Sequence, residues 1–170
     1  RDTALSASGL LAEKIGGPSV MPYQPAGLWD ELAGGAGQGP YKLGAGEDLY
    51  RRSLYTYRKR TVPHPLISTF DAPSFETCRV MRARTNTPLQ SLALLNDVTY
   101  VEAARSLGQR MLREAKSPEI SPLRYGFRLT IGRYPSADEE RLLQTGLDKF
   151  MATYRADAEA AKALVSNGQT

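Results

Sequence analysis

Of the 15 glycines and 11 prolines in this chain, half fall between Gly16 and Gly46. Glycine populates left-handed backbone freely and proline has no amide to donate, so neither a long helix nor a paired strand runs easily through such a stretch. The run is long for a connection inside a compact domain. It is expected to wrap the surface of the fold or to carry function. One short helix around residues 25–33, presenting Leu28, Trp29 and Leu32, is the element it can hold. The rest of the fold must come from the flanks.

Upstream, residues 2–15 carry a helical pattern that Gly16-Gly17-Pro18 is expected to stop, a glycine C-terminus followed by proline. Downstream, Glu47 and Asp48 open a segment closing on Arg58-Lys59-Arg60, the charge order that suits a helix dipole. Leu49, Ser53 and Tyr57, flanked by Tyr50 and Leu54, would share one helical face, although alternation over 54–57 leaves a strand open. Pro63 and Pro65 force an extended passage toward Phe70-Asp71-Ala72-Pro73. Thr87-Pro88-Leu89-Gln90 joins an N-cap threonine, proline at N1 and glutamine at N3, which predicts a helix with Leu89, Leu92 and Leu95 as its apolar face. Asn96-Asp97 can cap another, with Val98, Val101, Ala104, Leu107 and Met111 on one side. Ser121-Pro122 starts a third, ended near Gly132. Ser136-Ala137-Asp138-Glu139 is a capping box for the last, with Leu143, Leu147, Phe150 and Tyr154 in line. Residues 157–170 read as a fraying alanine-rich helix entering a loop, and no fixed repeat is present.

These signals predict a mostly α fold, an irregular helical domain with a Gly/Pro-rich N-terminal arm and long loops. It would be a single domain over 1–170, with a helix and arm to residue 46 and a helical core over 47–165. Arg1 stands in mid-helix and no signal peptide is visible, which predicts a C-terminal piece of a longer protein.

Hydrophobic residues make up 41% of the chain and charged residues 24%, enough for a packed core and against a wholly disordered or collagen-like chain. The longest aliphatic run, Leu92-Ala93-Leu94-Leu95, is far short of the roughly 20 residues a membrane crossing needs. A single Cys and a single His remove more. A structural zinc site takes about four Cys or His ligands, so Cys78 and His64 would need carboxylates beside them. Covalent haem needs C-x-x-C-H, which is missing, and no cofactor is expected in this chain. One Cys makes no intrachain disulfide, and Cys78 is expected as a small buried hydrophobe. A Cys–His nucleophilic pair would require a geometry that sequence does not specify.

Residues 47–60 hold Arg51, Arg52, Arg58, Lys59 and Arg60 against Glu47 and Asp48, so most of the net charge of +4 lies here. Interleaved tyrosines can stack on sugars or bases while guanidinium groups pair with sulfate or phosphate. Arg51, Arg52, Tyr57 and Arg60 are therefore candidate contacts for an anionic polysaccharide or a partner surface. The alternative is a solvated amphipathic helix whose tyrosines enter the core. Nucleic acid is not expected, because no DNA- or RNA-binding motif accompanies the patch. Gly34-Gly35-Ala36-Gly37-Gln38-Gly39 and Gly44-Ala45-Gly46 lack the P-loop pattern and a βαβ setting, so they are read as turning loops. Asp71, Glu76 and His64 form the one plausible acid–base cluster, suited to polysaccharide cleavage if two carboxylates stand about 5–10 Å apart. Against that, Asp71 can cap a helix over 73–81. Asn86 and Gln90 complete the candidates, Gln90 explained by capping and Asn86 by hydrogen bonds to neighbouring backbone.

Taken in order, these motifs form a set. Gly16-Gly17-Pro18-Ser19-Val20 is followed by Gly46-Glu47-Asp48-Leu49-Tyr50-Arg51-Arg52-Ser53-Leu54-Tyr55, then by Phe70-Asp71-Ala72-Pro73 with Cys78. Thr85-Asn86-Thr87-Pro88-Leu89-Gln90, Leu94-Leu95-Asn96, Arg128-Leu129 and Gly132-Arg133-Tyr134-Pro135 before Glu139-Glu140 continue it. From Arg1 to about Tyr154 the set resembles the planctomycete-type domain of unknown function, family 1553, that accompanies planctomycete cytochrome c domains. The resemblance implies an exported multidomain protein, periplasmic or at the cell surface, with a c-type haem only in an upstream domain. It also implies other domains of the same longer protein as partners, and a further apolar helix beyond Thr170. It brings no established reaction. The family-pattern positions are Arg51, Arg52, Asp71, Cys78, Thr85, Asn86, Pro88, Gln90 and Asn96. The expected function is a non-catalytic interaction or scaffolding module, with the basic Tyr/Arg segment and the loop from His64 to Pro73 as its contact surface. The alternative is an enzyme domain acting on polysaccharide through Asp71, Glu76 or His64.

Overall fold

Gly9 ends the first helix. In α1 (Asp2–Ser8) the chain closes when Gly9 takes a left-handed conformation, φ 80°. The Gly9 N–H then donates to the Ser6 carbonyl at 3.1 Å and the Leu10 N–H to the Leu5 carbonyl at 2.9 Å, a Schellman-type closure that satisfies two orphan carbonyls. The helix expected to reach residue 15 is thus shorter, because the first permissive glycine is sufficient. The structure is a computed structural model that describes residues 1–29, 41–74, 76–116 and 120–169.

After α1 come two 3-10 turns (Gly46–Tyr50 and Ser53–Tyr55), then α2 (Pro65–Thr69), α3 (Pro88–Asn96), α4 (Val98–Glu114), α5 (Pro122–Ile131), α6 (Ala137–Ala156) and α7 (Ala158–Val165). Among the described residues β-pairing is limited to isolated bridges, so the fold is mostly α with long irregular connections. Of the short helix expected over 25–33, residues 25–27 are irregular and Leu28 and Trp29 helical; the remainder, with the Gly34–Gly39 loop, lies outside the described residues. The chain divides into two compact units, Arg1–Leu11 with Val98–Thr170, and Ala12–Asp97.

In the first unit α1 packs on α4 and α5, α5 meets α6, and α7 returns to α4. Leu5 is fully buried, and α4 turns Thr99, Tyr100, Glu102, Ala103 and Ser106 inward. The expected face differs, since Ala104 is exposed. Asn96 is the last residue of α3, and Asp97, its C-cap, stands immediately before α4. Arg110 donates to the Ser6 and Ala7 carbonyls at 3.3 and 3.0 Å, supplying charge-assisted partners to the open end of α1. Gly126 admits the Met111 side chain, whose sulfur would lie 2.5 Å from any added Cβ. Both capping motifs of this unit form: Ser121 Oγ accepts from Arg124 N–H, and Ser136 and Glu139 make the reciprocal box at the start of α6. Gly132 closes α5 in a left-handed conformation. Asp157 caps α7, and beyond it Gln169 N–H donates to Glu102 Oε1 at 2.7 Å.

The second unit is organised around Arg51. Its side chain is 2% exposed, and its guanidinium donates to the carbonyls of Lys14 (3.1 Å), Gly16 and Pro18 (3.4 Å) while lying 4.0 Å over the Tyr55 ring. The Tyr55 hydroxyl in turn accepts the Gly16 N–H at 2.9 Å. The chain around residues 12–20 runs parallel to residues 50–57, with bridges Ala12 to Arg51 and Val20 to Thr56. Tyr57 N–H donates to Val20 O at 2.7 Å and Val20 N–H to Tyr55 O at 2.8 Å. Those amides are therefore spent outside any helix. The single helix expected over 47–60 is broken at Arg51 (ψ 155°) and Arg52 (ψ 142°) into two short turns. Leu49 and Tyr50 are buried while Leu54 is 77% exposed, so the expected common face does not exist.

Candidate functional site

The helix start at Thr87 also serves the loop before it. Thr87 Oγ1 accepts the Gln90 N–H and Gln90 Oε1 accepts the Thr87 N–H at 3.2 Å, the reciprocal box read from sequence. The other end of the buried Gln90 amide donates to Thr69 O at 2.9 Å, Thr85 Oγ1 at 3.0 Å and Asp71 Oδ2 at 3.4 Å. Asp71 receives the Thr85 N–H at 2.8 Å and the Thr85 hydroxyl at 2.9 Å. These donors, the Thr85 backbone N–H foremost, hold the Asp71 carboxyl below its ordinary range, because hydrogen bonds favour the ionised form. Asp71 sits at φ 59°, a left-handed conformation that aspartate tolerates better than most residues.

The Asp71 that sequence assigned to cap a helix over 73–81 has no such helix to cap: the described residues there are irregular. It ties the end of α2 to the start of α3 instead. Cys78, expected to be buried, is exposed. Asn86 is exposed as well, and the loop's hydrogen bonds come from Thr85, Thr87 and Gln90.

Two concavities flank this network. One, of about 470 Å³, is lined by Asp71, Arg82, Thr85 and Gln90 among others. The other, of about 480 Å³, gathers Tyr57, Arg58, Arg60, His64 and Glu76 against Leu54, Ile67 and Pro73. The structure thus brings together Tyr57, Arg60, His64 and Glu76, and places Asp71 and Gln90 on the neighbouring concavity. Arg60 Nε stands 3.9 Å from Glu76 Oε1, with both side chains in water. His64 Nε2 lies 2.9 Å from the Tyr23 carbonyl, so that nitrogen carries the proton in the neutral ring. Tyr57 leans on Trp29 with ring centroids 5.7 Å apart. Arg52 is exposed. Arg51 is not a surface residue, and the expectation that it contacts a polyanion is corrected by its burial under three backbone carbonyls.

Sequence reasoning missed Arg58 as a cleft residue and Thr85 as the principal partner of Asp71. The signal for Thr85 was its place beside the capping box. No signal in the chain marks the contact across the intervening loop. Among the described residues no group of three or more His, Cys, Asp or Glu stands close enough to hold a metal ion. No helix among them is long and apolar enough to cross a membrane.

The model of the family described as PSD1, protein of unknown function (DUF1553), matches residues 1–147. The chain belongs to that family. Every candidate residue of this PSD1-family chain, from Arg51 to Gln90, falls inside the matched span, as do the Arg51 clamp and the Asp71 network. No curated protein and no solved structure is significantly similar to it.

Proposed function

We propose that this PSD1-family chain is a non-catalytic interaction module of an exported, periplasmic or cell-surface protein that carries a c-type haem in another domain. The observation that carries the reading is α6. None of its 20 residues is buried, although Leu143, Leu147, Phe150 and Tyr154 follow a 3–4 spacing along it. Such a stripe wants a protein partner, and another domain of the same longer protein is the partner proposed. The state of Asp71 supports a non-catalytic role. Its carboxylate is saturated by Thr85 and Gln90 and lowered in pKa, the opposite of what a general acid near neutral pH requires.

Hydroxyl-radical footprinting of the full-length protein tests this. Leu142, about 100° round α6 from Leu143 and 70% exposed, is the internal reference. Phe150 and Met151 should be protected several-fold relative to it. Oxidation of all three in proportion to their exposure, each normalised to the intrinsic reactivity of its side chain, would sink the proposal.

A second reading, contact with an anionic polysaccharide, is favoured by the exposed Arg58 and Arg60 beside the Tyr57 ring. Retention on a sulfated-polysaccharide column should fall with salt and with Arg58→Ala, and retention indifferent to both would remove it.

A further inference from the structure

We propose that the concavity beside α2 is a binding site for a single carboxylate carried on an apolar body. Its volume, about 480 Å³, falls in the range of small-molecule sites, which are mostly apolar with a few placed polar groups. The walls fit that description. Leu54, Pro63, Ile67 and Pro73 supply aliphatic surface and Tyr57 a ring, while Arg58, Arg60 and His64 supply the polar side. Leu54 is 77% exposed although it lines a concave surface, so an apolar ligand body would remove it from water favourably.

The charge arrangement selects the ligand further. Arg60 and Glu76 face each other at 3.9 Å with side chains 84% and 57% exposed, and a pair so open to solvent is weak. A ligand carboxylate can take two parallel hydrogen bonds from the guanidinium and displace Glu76. Glu76 stays on the lining and repels additional negative charge. One anionic group is therefore favoured over a densely sulfated chain, so at this cleft the carboxylate site and the polysaccharide reading exclude each other. This goes beyond the docking role of α6, since it concerns different residues in a different compact unit.

His64 is the only histidine of the chain, so its Cε1–H gives one unambiguous imidazole signal at the site. Phenylacetate titrated into the 170-residue chain should shift that signal saturably. The neutral analogue 2-phenylethanol and the polar acid glucuronate should shift it little at equal concentration. Arg60→Gln should weaken phenylacetate roughly tenfold, the scale of one lost charge-assisted hydrogen bond. Glu76→Gln should tighten it by releasing Arg60. A peptide ending in free leucine, compared with phenylacetate, distinguishes a chain terminus from a free acid as the source of the carboxylate. No saturable shift, equal binding of 2-phenylethanol, or a sulfated oligosaccharide that binds tightly and is not displaced by phenylacetate would each overturn the proposal. Arg60 and Glu76 are solvent-exposed, so neither substitution threatens folding.

Discussion

Arg51 is held by the carbonyls of one short stretch of chain, Lys14, Gly16 and Pro18, and by the face of Tyr55. Hydrogen bonds from a charged group contribute about 1.5–3 kcal/mol each, and truncating one partner of a buried charged cluster is among the more damaging single changes. Arg51→Ala is therefore expected to cost about 3 kcal/mol in denaturant unfolding, and Arg52→Ala, on the exposed neighbour, less than about 0.5 kcal/mol. A loss for Arg51→Ala as small as about 0.5 kcal/mol would show that the clamp contributes nothing. Adjacent arginines are chemically identical in sequence. Nothing local says which of Arg51 and Arg52 turns inward, because the deciding acceptors lie more than thirty positions upstream. Asp71 was opaque for the same reason: its partner Thr85 is fourteen residues away across an irregular loop.

Elements whose ends are closed by neighbours were legible. The Thr87 and Ser136 capping boxes and the Gly132 terminus all form where the sequence puts them. Local hydrogen bonds between residues three apart need no tertiary information. The first helix was misjudged because Gly16-Gly17-Pro18 is a louder stop than the lone Gly9. The 47–60 segment departs from a helix because the Tyr57 N–H donates to Val20 and the Tyr50 and Tyr55 carbonyls accept from Ala12 and Val20. At the start of α6, Glu139 is held by two hydrogen bonds to Arg133 (2.8 and 2.6 Å) and by the Ser136 N–H (2.8 Å). Arg133 foremost lowers its carboxyl from 4.5 to about 2. A carboxylate depressed in the folded state lends stability in full above its ordinary pKa and loses it as pH falls toward the folded value. The first turn of α6 should thus hold at pH 5, weaken below 4.5 and loosen as pH approaches about 2. Arg133→Ala should raise the Glu139 titration toward 4.5, read by carboxyl NMR. An unchanged midpoint would mean that the ion pair does not form in solution.

Across the whole molecule, the compact units divide at Leu11 and Asp97, whereas the composition changes at Gly46. The first unit joins the two ends of the described chain, through contacts of α1 with α4 and α5 that no local pattern announces. Each unit leaves leucines in water. Leu89, Leu92 and Leu95 of α3 are exposed while Gln90 is the buried residue of that helix, so amphipathicity correctly located a helix and misdirected its face. On α6 the same holds for Phe150 and Leu147. The double substitution Leu147→Ser with Phe150→Ser should change unfolding free energy by no more than about 1 kcal/mol, far below the roughly 5 kcal/mol or more that two core truncations remove. A large loss, measured by denaturant titration, would mean that these side chains are packed within the chain.

The parallel bridge from Val20 to Thr56, with the Arg51 clamp just behind it, has a topological consequence. It turns the intervening sequence into a closed loop that carries its own anchors, since Pro22, Trp29, Leu49 and Arg51 within it are buried. Lengthening such a loop costs entropy only logarithmically, about 0.6 kcal/mol for each doubling. Added length in this loop is therefore cheap wherever it leaves Pro22, Trp29, Leu49 and Arg51 in their buried places, which divides the stretch into a few fixed anchors and the spacers between them.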